Sequence, residues 1–164
     1  MTTTAIQDEY SDDVSHCYGC GRLNQDGLHI RSFWDGAEAK AKFTPSAHHT
    51  AIPGFVYGGL LASLVDCHAT GTAAAAARQA RADAGPSGPP PRFVTASLQV
   101  DYLRPTPLGL PLALSARPTE IRGRKIVVEV ELTAGDQVCV RGRVVAVEMP
   151  DELLGRTVAP SLDD

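Results

Sequence analysis

The 164-residue sequence is poor in aromatics, at 5% with one Trp, and holds no apolar run near the roughly 18 residues that a membrane-spanning helix needs. Met1 to Glu9 lack the basic stretch followed by an apolar core that marks an export signal. No Lys/Arg run interleaved with aromatics appears, so the footprint of a nucleic-acid binder is missing. The 15 Gly and 12 Pro follow no period, which excludes collagen-like repeats. A second Cys-x-x-Cys is also absent, and four cysteines without an export signal read as reduced thiols. These absences point to a cytoplasmic protein with neither nucleic acid nor membrane as partner.

What is present fits one compact domain: 43% hydrophobic and 21% charged residues. The formal net charge is -4, but Asp8, Glu9, Asp12, Asp13, Asp151, Glu152, Asp163 and Asp164 supply eight of the 19 acids. Between residues 14 and 150 there are 14 Lys and Arg against 11 Asp and Glu, a mild positive excess suited to an anionic ligand. The organisation expected is a flexible acidic tail over 1–15, a folded domain over 16–150 and a C-terminal tail over 151–164.

Alternation of apolar and polar residues predicts a hairpin from 28–34 and 37–43 around Asp35-Gly36. Gly58-Gly59 then opens a Pro-free stretch from Leu60 to about Ala80, the one long helix. Its first two turns are apolar nearly all round, as in an enclosed helix. The Pro- and Gly-rich residues 83–92 form a connector that no helix crosses. Four period-2 segments follow. From Val94, Ala96, Leu98, Val100 and Tyr102 share one face while Thr95, Ser97, Gln99 and Asp101 share the other. Leu110, Leu112 and Leu114 alternate next, then Ile126, Val128, Val130 and Leu132, then Val138, Val140, Val144 and Ala146. The short connections require antiparallel pairing. The fold class is α+β, a curved antiparallel sheet of five or six strands wrapped around one long central helix.

Asp66 lies two turns into that helix among apolar and small residues, where an unpaired carboxylate is costly and is kept when it is paired or used. Gly58-Gly59 precede it at the helix start, where free amides and the positive dipole end can hold a developing oxyanion. His68, two residues on, projects about 200° away and belongs to another surface. Cys67 offers a second nucleophile, ranked below Asp66. His16-Cys17-x-x-Cys20 has the spacing of a metal knuckle. Only His29, Cys67, Cys139 or a second subunit could complete a four-ligand shell, so no metal is expected.

The run Pro53-Gly54-Phe55-Val56-Tyr57-Gly58-Gly59, continuing without a gap to Asp66, resembles the central motif of hotdog-fold acyl-CoA thioesterases of the PaaI-like branch: His-Gly-Gly, six residues, Asp. Thr95 to Pro105 resembles that family's third strand and its Tyr-x-x-Pro exit. Cys17-Tyr18-Gly19-Cys20-Gly21 with Asn24 and Gly27-Leu28 is similar to an N-terminal segment of a subset. The resemblance implies a hotdog fold, at least a dimer, with sites at the subunit interface and the option of a dimer of dimers. It implies thioester hydrolysis, with the Gly59 amide polarising the carbonyl, Asp66 as general base or nucleophile, and Thr95, supplied by the partner subunit, positioning water. Coenzyme A enters as part of the substrate, with no other cofactor. This chain has Tyr57 in place of the family's His and Ala51 where an Asn or Gln often assists, which leaves His49 as the nearby donor and Tyr57 and Gly58 as substrate contacts. Arg122, Arg124 and Lys125 form the best cationic cluster for a coenzyme phosphate. The rival readings are a non-catalytic acyl-CoA or acyl-carrier binding protein and a 3-hydroxyacyl thioester dehydratase.

Overall fold

In the computed structural model the described residues are 4–82 and 88–154; residues 83–87 of the connector and 155–164 of the C-terminal tail lie outside them. Seven main elements follow in chain order: β1 (Ser32–Trp34), β2 (Ala39–Phe43), α1 (Gly58–Ala82), β3 (Phe93–Tyr102), β4 (Leu112–Arg122), β5 (Lys125–Ala134) and β6 (Gln137–Glu148). The strands make one antiparallel sheet in the order β1-β2-β4-β5-β6-β3, packed against α1. This is the expected hotdog plan of six strands around one helix.

The first hairpin is shorter than its alternation suggested, for local reasons. Leu28 and Ile30 donate their amides to the Tyr18 and Gly19 carbonyls at 2.7 and 3.0 Å, so this segment pairs with the cysteine loop before β1 starts. The Asp35 carboxylate accepts the amides of Ala37 and Glu38, forming a side-chain turn that delays β2 until Ala39. The β4–β5 and β5–β6 hairpins close through Gly123-Arg124 and Gly135-Asp136. Each turn begins with a glycine at φ 57° or 58°, the conformation that a two-residue turn with Gly first demands.

Ile126, Val128, Val130 and Leu132 of β5 and Val140, Val144 and Ala146 of β6 are buried against α1 together with Leu112, Leu114 and Ala116 of β4. Leu110 lies before β4 and is exposed. On the outer face, Glu129 stands opposite Arg117 and Arg143, and Arg141 pairs with Glu131 at 3.0 Å. Helix and sheet approach closely at Gly142, where a Cβ would overlap the Val65 side chain.

Residues 4–15 depart from the expected flexible tail. Ile6–Glu9 and Asp12–Val14 form two single 3-10 turns, with Ala5, Ile6, Gln7 and Tyr10 buried. Ile6 and Tyr10, four residues apart, anchor the segment in the core. The acids read as tail charge are used: Asp8 pairs with Arg31, Glu9 with Arg78 and Asp12 with Arg22. The Gln7 amide donates to the Ser32 hydroxyl at 3.1 Å while its carbonyl accepts the Ser32 amide at 2.8 Å.

Candidate active site

The helix start is built by its preceding loop. The Tyr57 amide donates to the His49 carbonyl at 2.9 Å, and the Tyr57 carbonyl accepts the amides of Leu60 and Leu61. The first helical amides, those of Gly58 and Gly59, have no acceptor within the helix. Tyr102 at the end of β3 donates its hydroxyl to the Gly58 carbonyl at 2.8 Å, joining the sheet edge to the helix start. The Tyr57 ring folds over Gly59, where any Cβ would overlap it, yet it stays 58% exposed. His49 sits beneath the loop, its Nδ1 accepting the Ser46 amide at 2.9 Å, which leaves Nε2 as the protonated nitrogen of the neutral ring. Burial and the neighbouring His48 lower its pKa.

Asp66 is half-buried on α1, and burial raises its carboxyl pKa against the opposing effects of Thr95 and Arg92. Thr95 donates its hydroxyl to the Asp66 carboxylate within the same chain. This corrects the sequence expectation that Thr95 faces away from the apolar side. The cause is a β-bulge. Thr95 lies opposite Ala146 and Ser97 opposite Val145, so Ala96 is an extra residue. One inserted residue reverses the alternation, putting Thr95 on the same face as Leu98, Val100 and Tyr102. Strict period-2 counting misses such a bulge.

Gly59 and Asp66 are seven residues apart, about 10 Å along the helix axis. Arg122, Arg124 and Lys125 sit on the β4–β5 hairpin, at the end of the sheet where β3 begins and two strands from Thr95. Arg124 donates to the Glu148 carbonyl at 2.6 Å, whereas Arg122 and Lys125 share Glu120 at 3.1 and 3.6 Å. Arg124 is thus occupied in holding the sheet end, and the other two keep much of their side chains in solvent.

His68 is fully buried on the other side of α1. Its Nδ1 accepts the Ser32 hydroxyl at 2.8 Å and its Nε2 donates to the Ala39 carbonyl at 3.2 Å. Cys67 is buried too, and hydrogen bonding to Cys17 and Cys20 together with burial raises its thiol pKa, which disfavours it as a free nucleophile. The cysteine loop closes on this residue: the sulfurs of Cys17, Cys20 and Cys67 all lie within 4.8 Å of one another. Sequence spacing could not show that the loop before β1 returns to the middle of α1. His29 is directed elsewhere, to the Asn24 carbonyl.

Comparison with known proteins agrees with this architecture. Residues 53–141 match the model of the thioesterase superfamily. A thioesterase superfamily protein from Shewanella loihica PV-4 has a crystal structure with 47% identity and a TM-score of 0.65, covering 86% of this chain and all of its own. The E. coli PaaI protein of the phenylacetic acid degradation operon, at 20% identity and TM-score 0.59 over 75% of this chain and 81% of its own, shares the fold. The acyl-coenzyme A thioesterase THEM4 of Xenopus laevis is 29% identical over 118 residues, 70% of this chain and 47% of the relative. The mouse THEM4 is 27% identical over 68% of this chain and 43% of its own length, so the chain spans about half the length of the curated relatives it matches. Among the described residues no helix is long and apolar enough to cross a membrane. With a matched segment covering more than half of its length, the chain belongs to the thioesterase superfamily.

Proposed function

We propose that the chain hydrolyses an acyl-CoA thioester to the free acid and coenzyme A. The observation that carries this reading is the Asp66 carboxylate, half-buried, with raised proton affinity, and held by Thr95. A base needs proton affinity above that of an ordinary carboxylate to accept a proton from water near neutral pH. As general base, Asp66 takes the proton of a water whose oxygen bonds to the carbonyl carbon; the C–S bond then breaks and the coenzyme thiol leaves. As nucleophile, it bonds to that carbon first, the C–S bond breaks and the coenzyme leaves as thiolate to take a proton from solvent, and water then releases the acid from the anhydride and frees the carboxylate. In both routes the Gly59 amide takes the oxyanion.

One carbonyl has to lie about 3 Å from both its oxyanion donor and its attacking group. Within one chain the roughly 10 Å between Gly59 and Asp66 is too long for that. The working site therefore joins Gly59 of one copy to Asp66 and Thr95 of another, in a dimer or a dimer of dimers. The state of β3 supports this: it is the terminal strand, with Val94 44% and Leu98 39% exposed, an unpaired edge that a second copy can cover. Tyr57, Gly58 and His49 border the acyl-binding end, and Arg122 and Lys125 offer the exposed cations for a coenzyme phosphate.

The test is thiol release from a panel of short, aromatic and long acyl-CoA esters. Asp66→Asn is expected to lower turnover by about 10²–10⁴-fold with folding retained. Full activity in a folded variant overturns the mechanism. The rival binding protein, motivated by Tyr57 at the family's His position, would be stabilised by acyl-CoA without releasing thiol.

A further inference from the structure

We propose that Cys17, Cys20 and Cys67 bind a zinc ion that ties the amino-terminal loop to α1 one residue from Asp66. The sulfurs of Cys17 and Cys67 are 3.7 Å apart, and all three lie within 4.8 Å of one another. Zinc held at about 2.3 Å by thiolates in tetrahedral geometry sets sulfur–sulfur edges of about 3.8 Å. A disulfide would require about 2.05 Å and would leave one of the three thiols over.

The backbone around the cluster is shaped for a knuckle. The Gly21 amide closes the turn onto the Cys17 carbonyl at 2.7 Å. Gly19 lies directly against Cys67, where a Cβ would overlap the sulfur, so the loop can seat on the helix only with glycine there.

Charge supports the same assignment. Zinc with three thiolates carries a net charge of about -1. The guanidinium of Arg92 lies 4.0 Å from the Cys20 sulfur and 4.7 Å above the Tyr10 ring, with no carboxylate paired to it among the described residues. The Tyr10 hydroxyl is buried without a hydrogen-bond partner in this neighbourhood. Among the described residues no fourth Cys, His, Asp or Glu joins the cluster, so water takes the fourth position. Binding forms three Zn–S bonds and releases three thiol protons to solvent. Three soft thiolates in a small site select zinc over the hard cations.

The experiment uses the full-length chain, produced without a histidine tag in zinc-supplemented medium. Elemental analysis is expected to find one zinc per chain in the wild type and in Cys139→Ala, whose sulfur lies in β6 outside the cluster. Cys20→Ser is expected to lose the metal and to melt several degrees lower. Should that variant fail to fold, wild-type protein exchanged with cobalt supplies an independent readout, a thiolate-to-cobalt charge-transfer band with the intense visible bands of tetrahedral coordination. Wild-type protein free of zinc, or holding a different metal, overturns the proposal. So does a disulfide among these cysteines in freshly purified protein.

Discussion

The Thr95 hydroxyl on the outermost strand donates to the Asp66 carboxylate on the central helix, and the contact exists because Ala96 is an extra residue in β3. Without that bulge, Thr95 would face away from the helix. In the proposed mechanism Thr95 is a positioning residue, fixing the orientation of the carboxylate. Thr95→Val, which keeps the strand-favouring shape but removes the donor, is expected to lower kcat by about 10–100-fold with little change in melting temperature. Thr95→Ser is expected to restore most of the rate. Equal rates for the Val and Ser variants in a steady-state thiol-release assay would remove the assigned role.

Gly59 faces a different constraint. A methyl group there meets the outer end of the Tyr57 ring, an exposed side chain free to swing aside. Gly59→Ala is thus expected to change stability by no more than about 1 kcal/mol, since Ala favours the helix while the ring moves. Thioesterase activity is expected to fall sharply, because ring and methyl crowd the amide that faces the carbonyl. Thermal melts alongside turnover separate the two effects.

The Gly142 contact with Val65 makes the opposite prediction, a stability effect. Both positions are buried and neither can move outward. Gly142→Ala is expected to destabilise by about 1–3 kcal/mol through overpacking. Adding Val65→Ala is expected to recover part of that loss, giving a double-mutant cycle in denaturant melts with clear non-additivity.

His68 predicts acid sensitivity. Burial lowers its pKa from 6.5 to about 4, and its two nitrogens are satisfied in the neutral form. Below pH 6.5 the unfolded chain takes up a proton that the folded chain refuses. The stability is complete above that pH and is lost progressively as pH falls toward 4, about 3 kcal/mol in all. His68→Gln is expected to flatten this part of the pH–stability curve, measured by melting both proteins between pH 4 and 7.

Dimer formation through β3 is tested by Leu98→Asp. Sedimentation is expected to show a shift toward monomer, and activity is expected to fall with it, since the proposed site joins two copies. A fully active monomer would separate the chemistry from the assembly.

The element order was legible in the sequence because each element carries one dominant period. Ile126 to Leu132 alternate without interruption, and Leu60 to Ala80 lack any breaker. Asp66 and Gly59 stood out through local cost, a carboxylate and a glycine pair in an apolar helix. What stayed hidden depended on irregularity or long-range return. The bulge at Ala96 has no residue signature, so the face of Thr95 was misjudged. Ile6 and Tyr10 are too few to stand out against the acids around them, so this docked segment has the composition of a tail. Cys67 is about 50 residues from its cysteine partners, a distance that spacing rules for metal knuckles do not span.

The buried residues before β1 bear on where this protein can be cut. The span that matches the superfamily begins at Pro53, and trimming to it would strip away Glu9 from Arg78, Tyr10 from beneath Arg92, and the Gln7–Ser32–His68 relay from the interior face of α1. Such a fragment would present the alanine-rich middle of its helix to solvent and would be prone to aggregate. The amino-terminal segment thus serves the domain as a built-in seal.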